Sequence, residues 1–140
     1  MKNTAKLVIS IAFTLVVSGC AIKNIYNNED YYSALKTKLK HITKAVHTVV
    51  KYEDTSKYKT DRELIEYSQG KDTLNLRAFD DYEILVSKTS KGAILLVCTK
   101  DKTTAIFEDA GCTDNSIDKS HYLNKNTPCT FTLDISVCTK

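Results

Sequence analysis

Apolar residues recur along this chain with three rhythms, and each rhythm predicts a different element. Residues 7–17 form an almost unbroken apolar run. From Tyr32 the spacing becomes helical. Tyr32, Leu35, Leu39, Ile42, Val46 and Val49 recur at steps of three and four, one stripe over about five turns. The spacing predicts a helix from Glu29 to about Tyr52, with Asn27 or Asn28 as its cap and Glu29 and Asp30 at the positive end of its dipole. Lys36, Lys38, Lys40 and Lys44 lie off the stripe, and their stems cover its edges. A solvated face is the default for these lysines, with anionic lipid heads the sharper alternative. Beyond a polar connection, Thr60-Asp61-Arg62-Glu63 is a capping box that opens a short second helix, Asp61 to Gln69. Gly70 is placed to stop it in a left-handed conformation.

After Gly70 the period falls to two. Leu74, Leu76 and Ala78 alternate with Asn75, Arg77 and Phe79, which predicts a first strand. Tyr82 to Ser87 is a second, rich in Ile, Leu and Val, followed by a turn at Thr89 to Gly92. Ala93 to Cys98 is apolar on both faces and reads as a central strand, with Thr103 to Glu108 returning beside it. Asp109 to Pro128 is long, polar and aperiodic. Phe131, Leu133, Ile135 and Val137 then alternate with polar residues, predicting a last strand from Cys129 to Cys138. The fold class implied is α+β: a long N-terminal helix packed on a three- to five-stranded antiparallel sheet.

The first apolar run has another purpose. Lys2 and Lys6 precede it and Ser18-Gly19-Cys20 follow it, the order of a removable secretory signal. The run falls short of the roughly 20 residues that span a bilayer. Val17-Ser18-Gly19-Cys20 resembles the lipobox of bacterial lipoprotein precursors. That resemblance implies that residues 1–19 are cut away and that Cys20 carries acyl chains such as palmitate, both on its thiol and on the new N-terminus. More than one chain is what stable anchoring requires. Residues 20–28 then become a lipidated tether, and residues 29–140 a single domain. Ala21 stands where an aspartate would imply inner-membrane retention, so the resemblance points to the outer membrane, facing the periplasm. The chain has 20 basic and 17 acidic residues, and two of the basic ones lie in the leader. Without them the net charge is +1, which removes any case for a nucleic-acid surface.

Setting Cys20 aside leaves Cys98, Cys112, Cys129 and Cys138. An even number in an exported domain implies two disulfides. Zinc competes, but no pair has Cys-x-x-Cys spacing and only His121 lies near one of the cysteines. A strand from Thr103 to Asp109 carries the chain about 20 Å, and the three residues to Cys112 retrace about half of that. Bridged Cα atoms lie within about 7 Å, which disfavours Cys98–Cys112. A straight last strand separates Cys129 from Cys138 in the same way. Of the two remaining connectivities, an antiparallel return beside Thr103 to Glu108 favours Cys112–Cys129 with Cys98–Cys138.

The search for catalysis is negative. There is no nucleophile elbow, no His-Glu-x-x-His and no glycine-rich phosphate loop. His41 and His47, six apart, face different directions on one helix and cannot share a metal. His121 could join a hydrogen-bond network with Asp118. Asp80-Asp81 and Glu108-Asp109 are adjacent carboxylates, which in a strand point to opposite faces, so a turn or a solvated edge accounts for them better than acid–base chemistry. Asp114 and Asp118 match no calcium loop. The expectation is a non-enzymatic envelope lipoprotein that binds another protein, as an assembly factor or pilotin, an inhibitor or an immunity protein. Its recognition surface would be the loop from Ala110 to Pro128. A small-molecule or glycan-binding module is the alternative, and a hydrolase comes third. No cofactor, metal or binding residue is assigned.

Overall fold

The computed structural model describes residues 21–113, 116–118 and 127–138; at 21–28, 116–118, 135 and 137 only the backbone is described. Three helices come first: α1 at Ala21–Tyr52, α2 at Asp61–Gln69 and α3 at Leu74–Arg77. Among the described residues the strands β1 at Tyr82–Thr89, β2 at Gly92–Thr99, β3 at Ala105–Ala110 and β4 at Ser116–Asp118 follow, then a 3-10 turn at Ile135–Cys138. The strands pair antiparallel in the order β1-β2-β3-β4. The architecture is the expected α+β one, with the long helix on one face of the sheet.

Alternation in β2 and β3 explains how the sheet serves two cores. Leu95 and Val97 lie opposite Asp109 and Phe107, and Ala93, Leu95, Val97 and Phe107 meet the α1 stripe of Leu35, Leu39, Ile42, Val46 and Val49. Leu64 and Ile65 of α2 close this core at the side, with Leu76 and Phe79. Each aliphatic side chain fully buried there contributes roughly 1.5–3 kcal/mol. Leu96, Cys98 and Ala105 form a smaller cluster with Leu85 and Cys129 on the other face, under the C-terminal segment. β2 is buried along nearly its whole length, as its double-sided apolar sequence predicts.

Four expectations need correction. First, α1 begins at Ala21 and not at Glu29, so residues 21–28 are helical backbone. Asn27, Asn28, Glu29 and Asp30 are interior positions of a helix that contains no proline or glycine to break it. Second, Leu74 to Phe79 is not a strand. The Asp72 carboxylate accepts the Leu74 N–H at 3.3 Å and turns the chain. The residues driven into the core are Leu76 and Phe79, three apart, while Leu74 is 70% exposed. Third, the loop from Asp109 to Pro128 is not wholly irregular, because Ser116–Asp118 pairs with β3.

Fourth, Cys129 to Cys138 is not a strand, and the disulfides are Cys98–Cys129 and Cys112–Cys138. The expected pairing assumed that the tail returns antiparallel beside β3. β4 already fills that place, running from opposite Asp109 to opposite Phe107. By Pro128 the chain is back beside Thr104, where it forms a single antiparallel bridge. The tail then advances in the direction of β3 itself. Cys129 therefore meets the Cys98 end and Cys138 the Cys112 end.

Candidate functional site

β1 is an edge strand, and a concavity lies along its outer side. Helix α2 supplies the facing wall. Its start is fixed by the Thr60 hydroxyl, which accepts the Glu63 N–H at 3.2 Å, while Glu63 reaches back to the Lys59 N–H at 2.7 Å. Its end is fixed by Gly70 at φ 57°, whose N–H donates to the Tyr67 carbonyl. That rigid turn places Asp61 so that its Oδ2 accepts the Val86 N–H at 2.8 Å. The Val86 N–H therefore points away from β2. Antiparallel alternation turns the Ile84 and Lys88 N–H groups to the same open side, whereas the Tyr82 N–H is satisfied by the Phe79 carbonyl at 2.9 Å.

Between this edge and α2 lies a groove of about 570 Å³, lined among others by Arg62, Ile65, Leu76, Tyr82, Ile84 and Lys100. A hollow of about 400 Å³ shares Arg62 and Leu76 and extends past Arg77 and Asp80. The groove has an apolar floor and charged rims. Arg62 pairs with Glu66 at 2.6 Å and Lys102 with Glu83 at 3.0 Å. The Lys100 ammonium donates to the Asp80 carbonyl at 3.1 Å. Burial, then the hydroxyl of Tyr31, pushes the Tyr82 phenol far above its ordinary pKa, so it stays protonated. The groove offers hydrogen bonds, apolar contact and charge.

The remaining candidates fall elsewhere. Cys20, His121 and Asp114 lie outside the described residues, as does the side chain of Asp118. His41 is exposed on α1. His47 packs against Gly92, at φ 138°, and Gly111, at both of which an added Cβ would overlap it. The Ala93 N–H donates to its Nδ1 at 3.3 Å. Burial, then Lys51, holds the His47 pKa below its ordinary value. Asp80 and Asp81 are exposed in a turn, as expected. Among the described residues, no three or more His, Cys, Asp or Glu side chains converge on a metal position.

Glu108 and Asp109 depart from the expectation of a solvated edge: both are fully buried, one on each face of β3. Glu108 clamps the tail. Its carboxylate accepts the Thr132 N–H at 2.8 Å, the Thr132 hydroxyl at 2.6 Å and the Leu133 N–H at 2.9 Å. Asp109 faces α1, where Thr43 commits its hydroxyl proton to the Leu39 carbonyl at 2.8 Å. Neither Asp109 oxygen has a hydrogen-bond partner among the described residues. Burial pushes its pKa above the ordinary value, against the downward pull of Thr43, Lys40, Lys44 and Lys36. Neither carboxylate opens onto the groove. The edge cap by Asp61 and the clamp by Glu108 were not anticipated, since their partners lie 25 and 24 positions away.

No protein-family model, curated protein or solved structure matches this chain. No helix among the described residues is long and apolar enough to cross a membrane.

Proposed function

We propose that this chain is a non-enzymatic lipoprotein of the bacterial envelope, anchored through Cys20, that binds another protein in the groove beside β1. The observation that carries the reading is the groove between α2 and the β1 edge, an edge with no strand beyond it in the sheet order and capped at Val86 by Asp61. An extended segment of a partner would find the outward backbone edge at Ile84, an apolar floor at Ile65 and Leu76, and charged rims. Strand addition of this kind draws affinity from main-chain hydrogen bonds and specificity from side-chain pockets. Roles as an assembly factor, inhibitor or immunity protein all fit such a surface. Exposure of Cys98, Cys112, Cys129 and Cys138 to an oxidising compartment accords with their two disulfides.

The test is photocrosslinking in cells from Glu83 and Lys102 at the rim, with exposed Tyr52 as the distant control. One specific protein adduct is expected at the rim positions and not at the control. No adduct at either rim position, in cells where the protein is membrane-bound, overturns the groove reading. The anchor is tested separately: Cys20→Ser should abolish palmitate incorporation and membrane retention.

A further inference from the structure

The two disulfides differ in access as well as in position. Cys98 is wholly buried with Leu96 and Ala105, and its partner Cys129 packs against the same cluster. Cys112 is exposed and Cys138 half-buried. Disulfide exchange begins when a thiolate reaches one of the two sulfurs, so access decides which bridge reacts, and exposed bridges are the labile ones. Attack on Cys98 requires the far core to open first. Attack on Cys112 does not.

The backbone presents Cys112 firmly. It follows the end of β3, where the Gly111 N–H donates to the Ala93 carbonyl at 3.3 Å and the Thr113 N–H to the Ala110 carbonyl at 3.1 Å. Cys138 closes the 3-10 turn Ile135–Cys138, which rests on β2 and β3. Among the described residues, the tail is fastened upstream of that turn by the Cys98–Cys129 bridge and by the Glu108 carboxylate on Thr132 and Leu133. Opening Cys112–Cys138 removes the covalent fastening beyond Leu133 and leaves those upstream in place. The sheet face under the tail is the one opposite α1, where alternation along β2 places Ile94 and Leu96, both buried.

We propose that Cys112–Cys138 is a thiol–disulfide exchange site, opened selectively by a protein dithiol of the Cys-x-x-Cys class, and that its opening loosens the tail from Asp134 to Cys138 while Cys98–Cys129 stays closed. One thiolate of the dithiol attacks the Cys112 Sγ, forming a mixed disulfide and breaking the bond to the Cys138 Sγ. Cys138 leaves as a thiolate and takes up a proton. The second thiol of the dithiol then attacks its own sulfur in the mixed disulfide and releases Cys112 as a thiolate, which is protonated in turn. The chain gains two thiols, and the dithiol becomes a disulfide. The inference stands on the two bridges alone, whatever the fate of Cys20 or of the groove beside β1.

The experiment incubates the full chain, both bridges formed and no denaturant present, with reduced thioredoxin and separately with dithiothreitol. Timed samples are alkylated with iodoacetamide and mapped by mass spectrometry. Cys112 and Cys138 should be labelled about tenfold or more faster than Cys98 and Cys129, the factor set by about 1.4 kcal/mol of opening free energy. Thioredoxin with its resolving cysteine changed to serine should trap an adduct at Cys112. Hydrogen exchange should then quicken beyond Leu133 and stay slow in β2. The double variant Cys112→Ser/Cys138→Ser should show the same exchange pattern without reductant. If that variant does not fold, the wild type after brief treatment with dithiothreitol makes the same comparison. Equal labelling rates for the two bridges, or opening of Cys98–Cys129 first, overturn the site. So does opening by dithiothreitol while thioredoxin leaves both bridges intact. An adduct at Cys138 overturns the attack on Cys112, and unchanged exchange beyond Leu133 with the bridge open overturns the loosening.

Discussion

Asp109 is the residue at which the fold departs most from ordinary physical expectation. A fully buried carboxylate with no hydrogen-bond partner among the described residues is costly when charged. Its raised pKa means that the native state binds a proton more tightly than the unfolded chain does. The stability linked to that proton is full below the unfolded value, about 3.9 for Asp. It is lost as pH rises through the folded value. Asp109→Asn should therefore raise the urea midpoint at pH 7 by about 1 kcal/mol of stability. The advantage should fade below about pH 4. A loss at pH 7 would mean that Lys36, Lys40 and Lys44 hold the charge well enough to outweigh burial. Gly92 gives a second residue-scale expectation. With φ at 138° and the His47 ring where a Cβ would go, Gly92→Ala should cost more than about 1 kcal/mol, read from the same denaturation curve. Neither property was legible from sequence. Glu108-Asp109 looks like a polar step at a strand end because the groups that explain it belong to α1 and to the tail, far along the chain.

Among the elements, legibility followed how locally each is determined. The stripe of α1 and the capping box of α2 are complete within their own residues; α2 forms where its pattern places it, and α1 covers its stripe to Tyr52 but starts at Ala21, ahead of the expected cap. β1, β2 and β3 were also legible, because Val, Ile and Leu runs between turn residues leave few alternatives. Leu74 to Phe79 failed because six residues support either period, and burial of Leu76 with Phe79 selects the helical one. The tail failed for a different reason. Its alternation is genuine, but Glu108 takes the Thr132 and Leu133 N–H groups that a sheet neighbour would need. Glu108→Ala removes three charge-assisted bonds and strands two backbone donors. It should lower stability by about 3 kcal/mol and speed hydrogen exchange at Thr132 and Leu133 more than at β2. Glu108→Gln, which keeps an acceptor oxygen, should fall between. Unchanged exchange at those two amides in Glu108→Ala would show that the disulfides alone hold the tail.

The molecule as a whole is a three-layer assembly in which helices cover one face of a small sheet and a stapled tail covers the other. The two bridges do unequal work. Cys98–Cys129 closes 31 residues and Cys112–Cys138 closes 26. By chain entropy alone each would stabilise by about 3.5 kcal/mol, and their similar loop lengths give no reason to rank them. Surroundings do. Cys98 is wholly buried, packed with Leu96 and Ala105, so Cys98→Ala with Cys129→Ala leaves a cavity in the far core as well as a freed loop. Cys112 is exposed, and its loss removes only the loop constraint. Because the two loops interleave in sequence, opening one leaves the other closing part of the same span. Urea denaturation should therefore rank stability as wild type, then Cys112→Ala/Cys138→Ala, then Cys98→Ala/Cys129→Ala. The quadruple variant should lose less than the sum of the pairs, since neighbouring changes that share a span are not additive. Full additivity with equal costs would mean that entropy alone accounts for the bridges and that the far core contributes little. A domain of this size holds about 0.05–0.15 kcal/mol per residue in total, so losing the buried bridge should remove a large share of its stability. The tail is thus part of the fold, and the open groove beside β1 depends on a sheet that the tail keeps closed from behind.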